Sequence, residues 1–150
     1  MKYSVYSGDP KIIIDENGAD LVFKGGNPVM DRGIENAAII SLFTDPEWCG
    51  NGVLDEEQRI GSNFETTTKQ AITRSALVDM ARAAESDLSW MMEAQLAADV
   101  SAVVSAPKSN RIDATVTIVP PSRNGVIMLQ LRHGINWVFQ AIDPAYERVE

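Results

Sequence analysis

The feature that most constrains this chain is a change of hydrophobic period near Val100. Before it, from about Lys69 to Glu93, the residues Leu77, Met80, Ala81, Ala84, Leu88 and Met91 recur at steps of three and four. Arg74, Asp79, Arg82, Glu85 and Asp87 mostly take the other faces, so the spacing describes a long helix with one apolar side. Ser86-Asp87 leaves two forms open, one continuous helix or two joined at a bend. After Val100, Ile112, Ala114, Val116 and Ile118 alternate with Asp113, Thr115 and Thr117, the pattern of a strand with one buried face. Ile127, Leu129 and Leu131 repeat it, as do Ile135, Trp137 and Phe139.

The expected fold class is therefore α+β, with helices packed on one face of a mostly antiparallel sheet of about four strands. These strands fall at Val100–Ala106, Ile112–Val119, Val126–Leu131 and Ile135–Ile142. Parity selects the last turn. A two-residue loop at His133-Gly134 would pair Leu131 with Asn136, whereas the three-residue loop Arg132-His133-Gly134 pairs Leu131 with Ile135 and Leu129 with Trp137. The three-residue loop keeps every apolar side chain on one face and puts Gly134 where a G1 bulge needs a left-handed residue.

The N-terminal part reads as a hairpin over Ile12–Phe23, with Asn17-Gly18 as a type I′ turn setting Ile14 opposite Leu21 and Ile12 opposite Phe23. Gly25-Gly26-Asn27-Pro28 ends it, and Asp31 is the expected N-cap of a helix over Ile34–Phe43. That helix is apolar nearly all round, which predicts burial, and Thr44-Asp45-Pro46 stops it. Residues 46–63 read as a long surface loop and residues 143–150 as a tail.

At 150 residues the chain suits one domain over 1–150, and its net charge of −8 argues against a nucleic-acid partner. No apolar stretch is long enough for a bilayer, and Met1–Tyr6 lacks the apolar run of a signal peptide, so a soluble protein is expected. The lone Cys49 and lone His133 can form neither an internal disulfide nor a Cys/His metal site, and a reducing compartment follows.

Each candidate for chemistry has a plainer reading that is preferred. Cys49 as a nucleophile would need His133 as its base, and an inert thiol is the simpler account. His133 lies in the expected tight turn. Asp55-Glu56-Glu57 lacks the alternating ligands of a calcium loop and reads as a solvated acidic run. Gly25-Gly26-Asn27 lacks the lysine and hydroxyl of a phosphate loop. Glu93 and Asp99 are the only carboxylates beside expected core that could serve as a glycosidase pair. Trp90 and Trp137 are expected in the core, and Trp48 either packs under its loop or anchors a partner. No catalytic, cofactor or metal residue is assigned. An unpaired strand edge is the feature left over, because it invites strand addition by another chain.

Four blocks occur in an order and spacing that resemble a phage tail family. They are Asp20-Leu21, Gly33-Ile34-Glu35-Asn36-Ala37-Ala38-Ile39-Ile40-Ser41-Leu42-Phe43-Thr44-Asp45, Arg59-Ile60-Gly61-Ser62 and Leu88-Ser89-Trp90. The family is that of the Mu-like phage baseplate protein, more distantly the sheath-initiator (wedge) subunit of contractile tails and its type VI secretion counterpart. The resemblance spans about residues 20 to 142 and is most specific in the block ending Ser41-Leu42-Phe43-Thr44-Asp45. Of the Glu-Pro-Arg motif many relatives carry, Glu93-Ala94-Gln95 keeps only the glutamate.

The resemblance implies a virion structural protein of a phage or prophage contractile tail, present in several copies in the baseplate and made in the bacterial host cytoplasm. Its implied partners are tail sheath and baseplate wedge or hub proteins, with no enzyme activity, nucleic acid, membrane or cofactor. Two alternatives belong to other classes: a small cell-wall glycan hydrolase using paired carboxylates, and a small-ligand or regulatory domain with a dry pocket of roughly 300 Å³ or more.

Overall fold

The computed structural model describes residues 9–31, 33–122 and 125–133, and the backbone of 137–142. The expected tail at 143–150 and the turn residue Gly134 lie outside these, as do the side chain of Trp137 and the position of Ile135. The fold is α+β, as the change of period implies. Short strands β1 (Asp9–Pro10), β2 (Ile12–Asp15), β3 (Gly18–Leu21), β4 (Phe23–Lys24), β5 (Asn27–Pro28) and β6 (Met30–Asp31) lead into helix α1 (Ile34–Phe43). Helices α2 (Phe64–Thr67), α3 (Arg74–Asp87) and α4 (Ser89–Glu93) follow, then strands β7 (Asp99–Lys108), β8 (Arg111–Val119), β9 (Ile127–His133) and β10 (Trp137–Ile142).

The main sheet has six strands, two more than expected, in the order β3-β2-β10-β9-β8-β7. The N-terminal hairpin supplies the extra pair, because β2 docks antiparallel on β10 with Phe139 opposite Ile14. On the covered face of the sheet, Ile112, Ala114, Val116 and Ile118 of β8 and Leu129 and Leu131 of β9 are buried. They join one cluster with Met80 and Ala84 of α3, Met91 of α4 and Leu42 of α1. The other face carries Thr115, Thr117, Gln130 and Arg132, so the alternation read from the sequence corresponds to one dry and one wet side.

Both hairpin registers differ from expectation by an even number of residues. At the N-terminus Ile14 pairs with Ala19 and Ile12 with Leu21, which makes Glu16-Asn17 the turn. Neither of these residues has positive φ, which excludes type I′ there. The turn instead uses Asp15 at its first position, accepting from the Asn17 N–H at 2.7 Å, and Gly18 at its last with φ +119°. The two consecutive positive φ values of a type I′ turn belong to Gly25 (59°) and Gly26 (80°), which connect β4 to β5 rather than ending the hairpin. At the C-terminal hairpin Leu131 pairs with Phe139, and Trp137 with His133 instead of Leu129. His133 therefore ends a strand, opposite Trp137, and is not a turn residue.

The helix over Ile34–Phe43 forms with the expected bounds but is only half buried. Its dry side holds Glu35, Asn36, Ala38 and Leu42, while Ile40 is 52% exposed. Gly33, with φ 94°, takes the N-cap position assigned to Asp31. Asp31 still satisfies a helix donor, reaching in from β6 to accept the Asn36 N–H at 2.9 Å. Lys11 makes burial of Glu35 tolerable, with Nζ 2.9 Å from its carboxylate.

The long helix is shorter than its pattern. Thr73 starts α3 by accepting the Ala76 N–H at 3.1 Å, and the break before α4 falls at Leu88, with Ser86 and Asp87 still in α3. Residues 46–63 hold two 3-10 turns, Cys49–Val53 and Glu56–Gln58, in place of a simple loop. Asn51 clamps the feet of this strap: its Nδ2 donates to the Pro46 and Ile60 carbonyls at 3.0 and 2.6 Å, and its Oδ1 accepts the Ile60 N–H at 2.9 Å. Gly61 completes the closure, since a Cβ there would stand 2.7 Å from the Pro46 Cα.

Candidate functional site

Two surface features stand out among the described residues: the free edge of β7 and a groove beside α1. The first follows from topology. Among the described residues β7 is the terminal strand of the sheet, hydrogen-bonded to β8 and to no strand on its outer side. From Val100 to Ala106 it reads Val-Ser-Ala-Val-Val-Ser-Ala, with no charge and no proline. Natural edge strands are commonly blunted by charges or bulges, and this stretch carries neither before Ser105. Val103, on the wet face, is 70% exposed.

One group guards the edge. The Ala102 N–H donates to Glu85 Oε1 of α3 at 2.9 Å, so it points away from β8. Antiparallel pairing alternates inward and outward N–H groups, which gives Val104, two residues on, the same outward direction.

The groove arises because α1 turns an apolar stripe outward. Ala37, Ile40 and Ser41 stand at helical spacing on that stripe, Trp90 of α4 forms one wall, and Ile60 and Gly61 of the strap form another. Together they outline a volume of about 480 Å³. Trp90 is 38% exposed and Ile60 37%, so the expectation that Trp90 is core does not hold. Its orientation is set by Nε1 donating to Ser41 Oγ at 2.9 Å, while the same hydroxyl donates to the Ala37 carbonyl at 2.9 Å. The strap side is acidic: Asp45, Glu47, Asp55, Glu56 and Glu57 face water against a single cation, Arg59.

The residues named from sequence as candidates sit on separate elements. Cys49 is a free, exposed thiol in the first 3-10 turn, and His133 is a half-buried residue ending β9. Asp55, Glu56 and Glu57 are exposed, and among the described residues no group of three or more His, Cys, Asp or Glu is placed to hold a metal ion. Glu93 and Asp99 are both exposed, which gives neither carboxyl the dry surroundings a glycosidase acid requires. Trp48 is 45% exposed with its ring lying over Gly50, where a Cβ would meet ring carbons at 2.1 Å.

The open sheet face holds a surface ion pair. Arg111 Nε and Nη2 each reach Asp113 at 2.7 Å, and Arg132 lies 3.7 Å from the same carboxylate. Hydrogen bonding to Arg111 holds the Asp113 carboxyl below its ordinary range, against a smaller opposing effect of burial.

Sequence reasoning passed over Glu85, Asn51 and the outward face of α1. Ile40 sits in an apolar run whose outward side carries Ser41 but no charge, so nothing in the pattern singled it out. Comparison of the chain with known protein families, with curated proteins and with solved structures finds no match in any of the three.

Proposed function

We propose that this protein is a non-enzymatic structural subunit of a contractile phage or prophage tail baseplate, present in several copies and joining baseplate to sheath through strand-edge pairing. The observation that carries this reading is the β7 edge: a ten-residue strand, uncharged over Val100–Ala106 and, among the described residues, with no further strand on its outer side. An added strand there gains main-chain hydrogen bonds along its length, with specificity from side chains on alternate faces. The sequence blocks over Gly33–Asp45, Arg59–Ser62 and Leu88–Trp90 supply the choice of assembly, and sheath and wedge or hub proteins are the corresponding partners. In this reading the protein works in the virion after assembly in the host cytoplasm.

The test is co-purification with sheath and wedge proteins of the same phage, using the full chain and Val104→Pro. Proline at Val104 removes an outward donor and none of the bonds to β8, so it leaves the sheet paired on its inner side. Capture of sheath protein by the parent chain and its loss in the variant supports the reading. Capture of neither sheath nor wedge protein overturns it, as would turnover of peptidoglycan that Glu93→Gln abolishes.

A further inference from the structure

The dipeptide Asn-Gly occurs at 17–18, 51–52 and 124–125, and the fold treats the first two in opposite ways. Asn124 lies outside the described residues. In such a pair the asparagine amide is open to attack by the glycine nitrogen, because glycine has no side chain to obstruct the approach. Asn51 is locked against it. Its Nδ2 donates to the Pro46 and Ile60 carbonyls at 3.0 and 2.6 Å and its Oδ1 accepts the Ile60 N–H at 2.9 Å, so turning Cγ toward the Gly52 nitrogen breaks three bonds. Asn17 is exposed at the tip of the N-terminal hairpin, and its side chain has no hydrogen-bond partner among the described residues. Its backbone N–H is engaged by Asp15, which leaves the amide group free to turn.

We infer that Asn17 is a site of spontaneous deamidation and isomerisation, and that the clamp spares Asn51. Water is the only co-reactant. The Gly18 nitrogen gives its proton to solvent and attacks Asn17 Cγ. A bond from that nitrogen to Cγ forms, the Cγ–Nδ2 bond breaks, and Nδ2 takes up a proton and leaves as ammonia. Water then opens the cyclic imide at either carbonyl, and nothing is oxidised or reduced. One opening leaves aspartate. The other leaves isoaspartate, whose main chain runs through Cβ and is longer by that carbon. Either product adds a negative charge to a chain already at −8. Isoaspartate does more, because Glu16-Asn17 is a two-residue turn closed by the pairing of Asp15 with Gly18. An extra main-chain atom there displaces the Ile14–Ala19 and Ile12–Leu21 pairs. β2 and β3 form the end of the sheet opposite β7, joined to the rest where Ile14 lies opposite Phe139. The modification therefore acts on the hairpin, and it is independent of strand addition at β7.

The experiment incubates the full chain in mildly alkaline buffer, folded and in urea. Each asparagine is followed by peptide mapping, with isoaspartyl methyltransferase labelling to count isoaspartate. In the folded protein Asn17 should convert at least ~10-fold faster than Asn51, whose three hydrogen bonds must first be given up. In urea the clamp is gone, and the two rates should agree within ~3-fold. Amide hydrogen exchange should quicken across Ile12–Leu21 in the isoaspartate form. Asn17→Asp, which has the charge without the extra atom, should keep the parent's protection there, and exchange over Val100–Ala106 should be the same in all three forms. Equal conversion of Asn17 and Asn51 in the folded protein overturns the inference, as does a difference that survives in urea. Isoaspartate at position 17 with unchanged exchange in the hairpin overturns its effect on the strands. A chain that captures sheath protein yet keeps Asn17 intact loses this inference alone.

Discussion

The Asp87 carboxylate, at the last residue of α3, accepts a 2.9 Å hydrogen bond from the backbone N–H of Phe64, the first residue of α2. The same group accepts from the Asn63 N–H and the Ser62 hydroxyl, each at 2.9 Å. An acidic residue at a helix C-terminus opposes the helix dipole, and here these donors outweigh that cost. Asp87→Ala should therefore destabilise the fold by about 2–3 kcal/mol and Asp87→Asn by about 1, read from urea unfolding midpoints. A change near zero for Asp87→Ala would mean that the strap end is held by Phe64 packing alone.

Lys11 and Glu35 form a nearly dry pair, with side chains 15% and 6% exposed. Lys11→Met leaves a buried carboxylate without its cation and should cost about 3 kcal/mol or more. Replacing both, as Lys11→Met with Glu35→Leu, should recover most of that loss, because two apolar groups in the same space need no desolvation of charge. A four-member double-mutant cycle by denaturant unfolding measures both effects.

The Asp113 carboxyl, held below its ordinary value chiefly by hydrogen bonds from Arg111, gives the stability curve an acid limb. A lowered folded value means the unfolded chain takes up the proton first as pH falls. The pair's contribution is thus complete above the unfolded value, near pH ~4, and disappears as pH drops through the folded one. Asp113→Asn should lie below the parent protein by a constant amount at neutral pH, with the two curves converging under pH ~4. Parallel curves down to pH ~2 would remove Asp113 as the source.

Glu85 shields one outward donor of the free edge through its bond to the Ala102 N–H. Glu85→Ala should speed hydrogen exchange at Ala102 by about tenfold, the equivalent of one net hydrogen bond. It should also increase capture of a strand-donating partner, because the donor no longer has to be released. Unchanged exchange would show that helix packing, rather than the carboxylate, protects the amide.

The two register differences show what a hydrophobic pattern can and cannot specify. In the N-terminal hairpin Ile14 meets Ala19 rather than Leu21, and in the C-terminal one Leu131 meets Phe139 rather than Ile135. Each displacement is an even number of residues, so the parity of the pairing is kept. Alternation constrains register only modulo two, and the turn selects among what remains. Asp15, by accepting the Asn17 N–H, and Gly18, by its positive φ, made that selection, which Asn17-Gly18 concealed. The α+β class and the bounds of α1 were legible because the change of period and the stop at Pro46 are local. The docking of β2 on β10 was not, since it joins Ile14 to Phe139 across most of the chain. The groove escaped for a different reason: burial of Glu35 and exposure of Ile40 invert the usual polarity of a helix, and Lys11, supplied by another segment, makes that inversion tolerable.

The Asn51 clamp separates the strap from what lies beneath it. Its bonds to Pro46 and Ile60, with Gly61 pressed on Pro46, tie the two feet together whatever runs between them. Closure entropy grows only with the logarithm of length. Residues between Gly52 and Gln58 can thus be lengthened, shortened or recharged at small thermodynamic penalty, leaving sheet and helices undisturbed. Lineages carrying such a clamp can retune whom they recognise without refolding, much as an interchangeable nib changes the line while the pen stays the same.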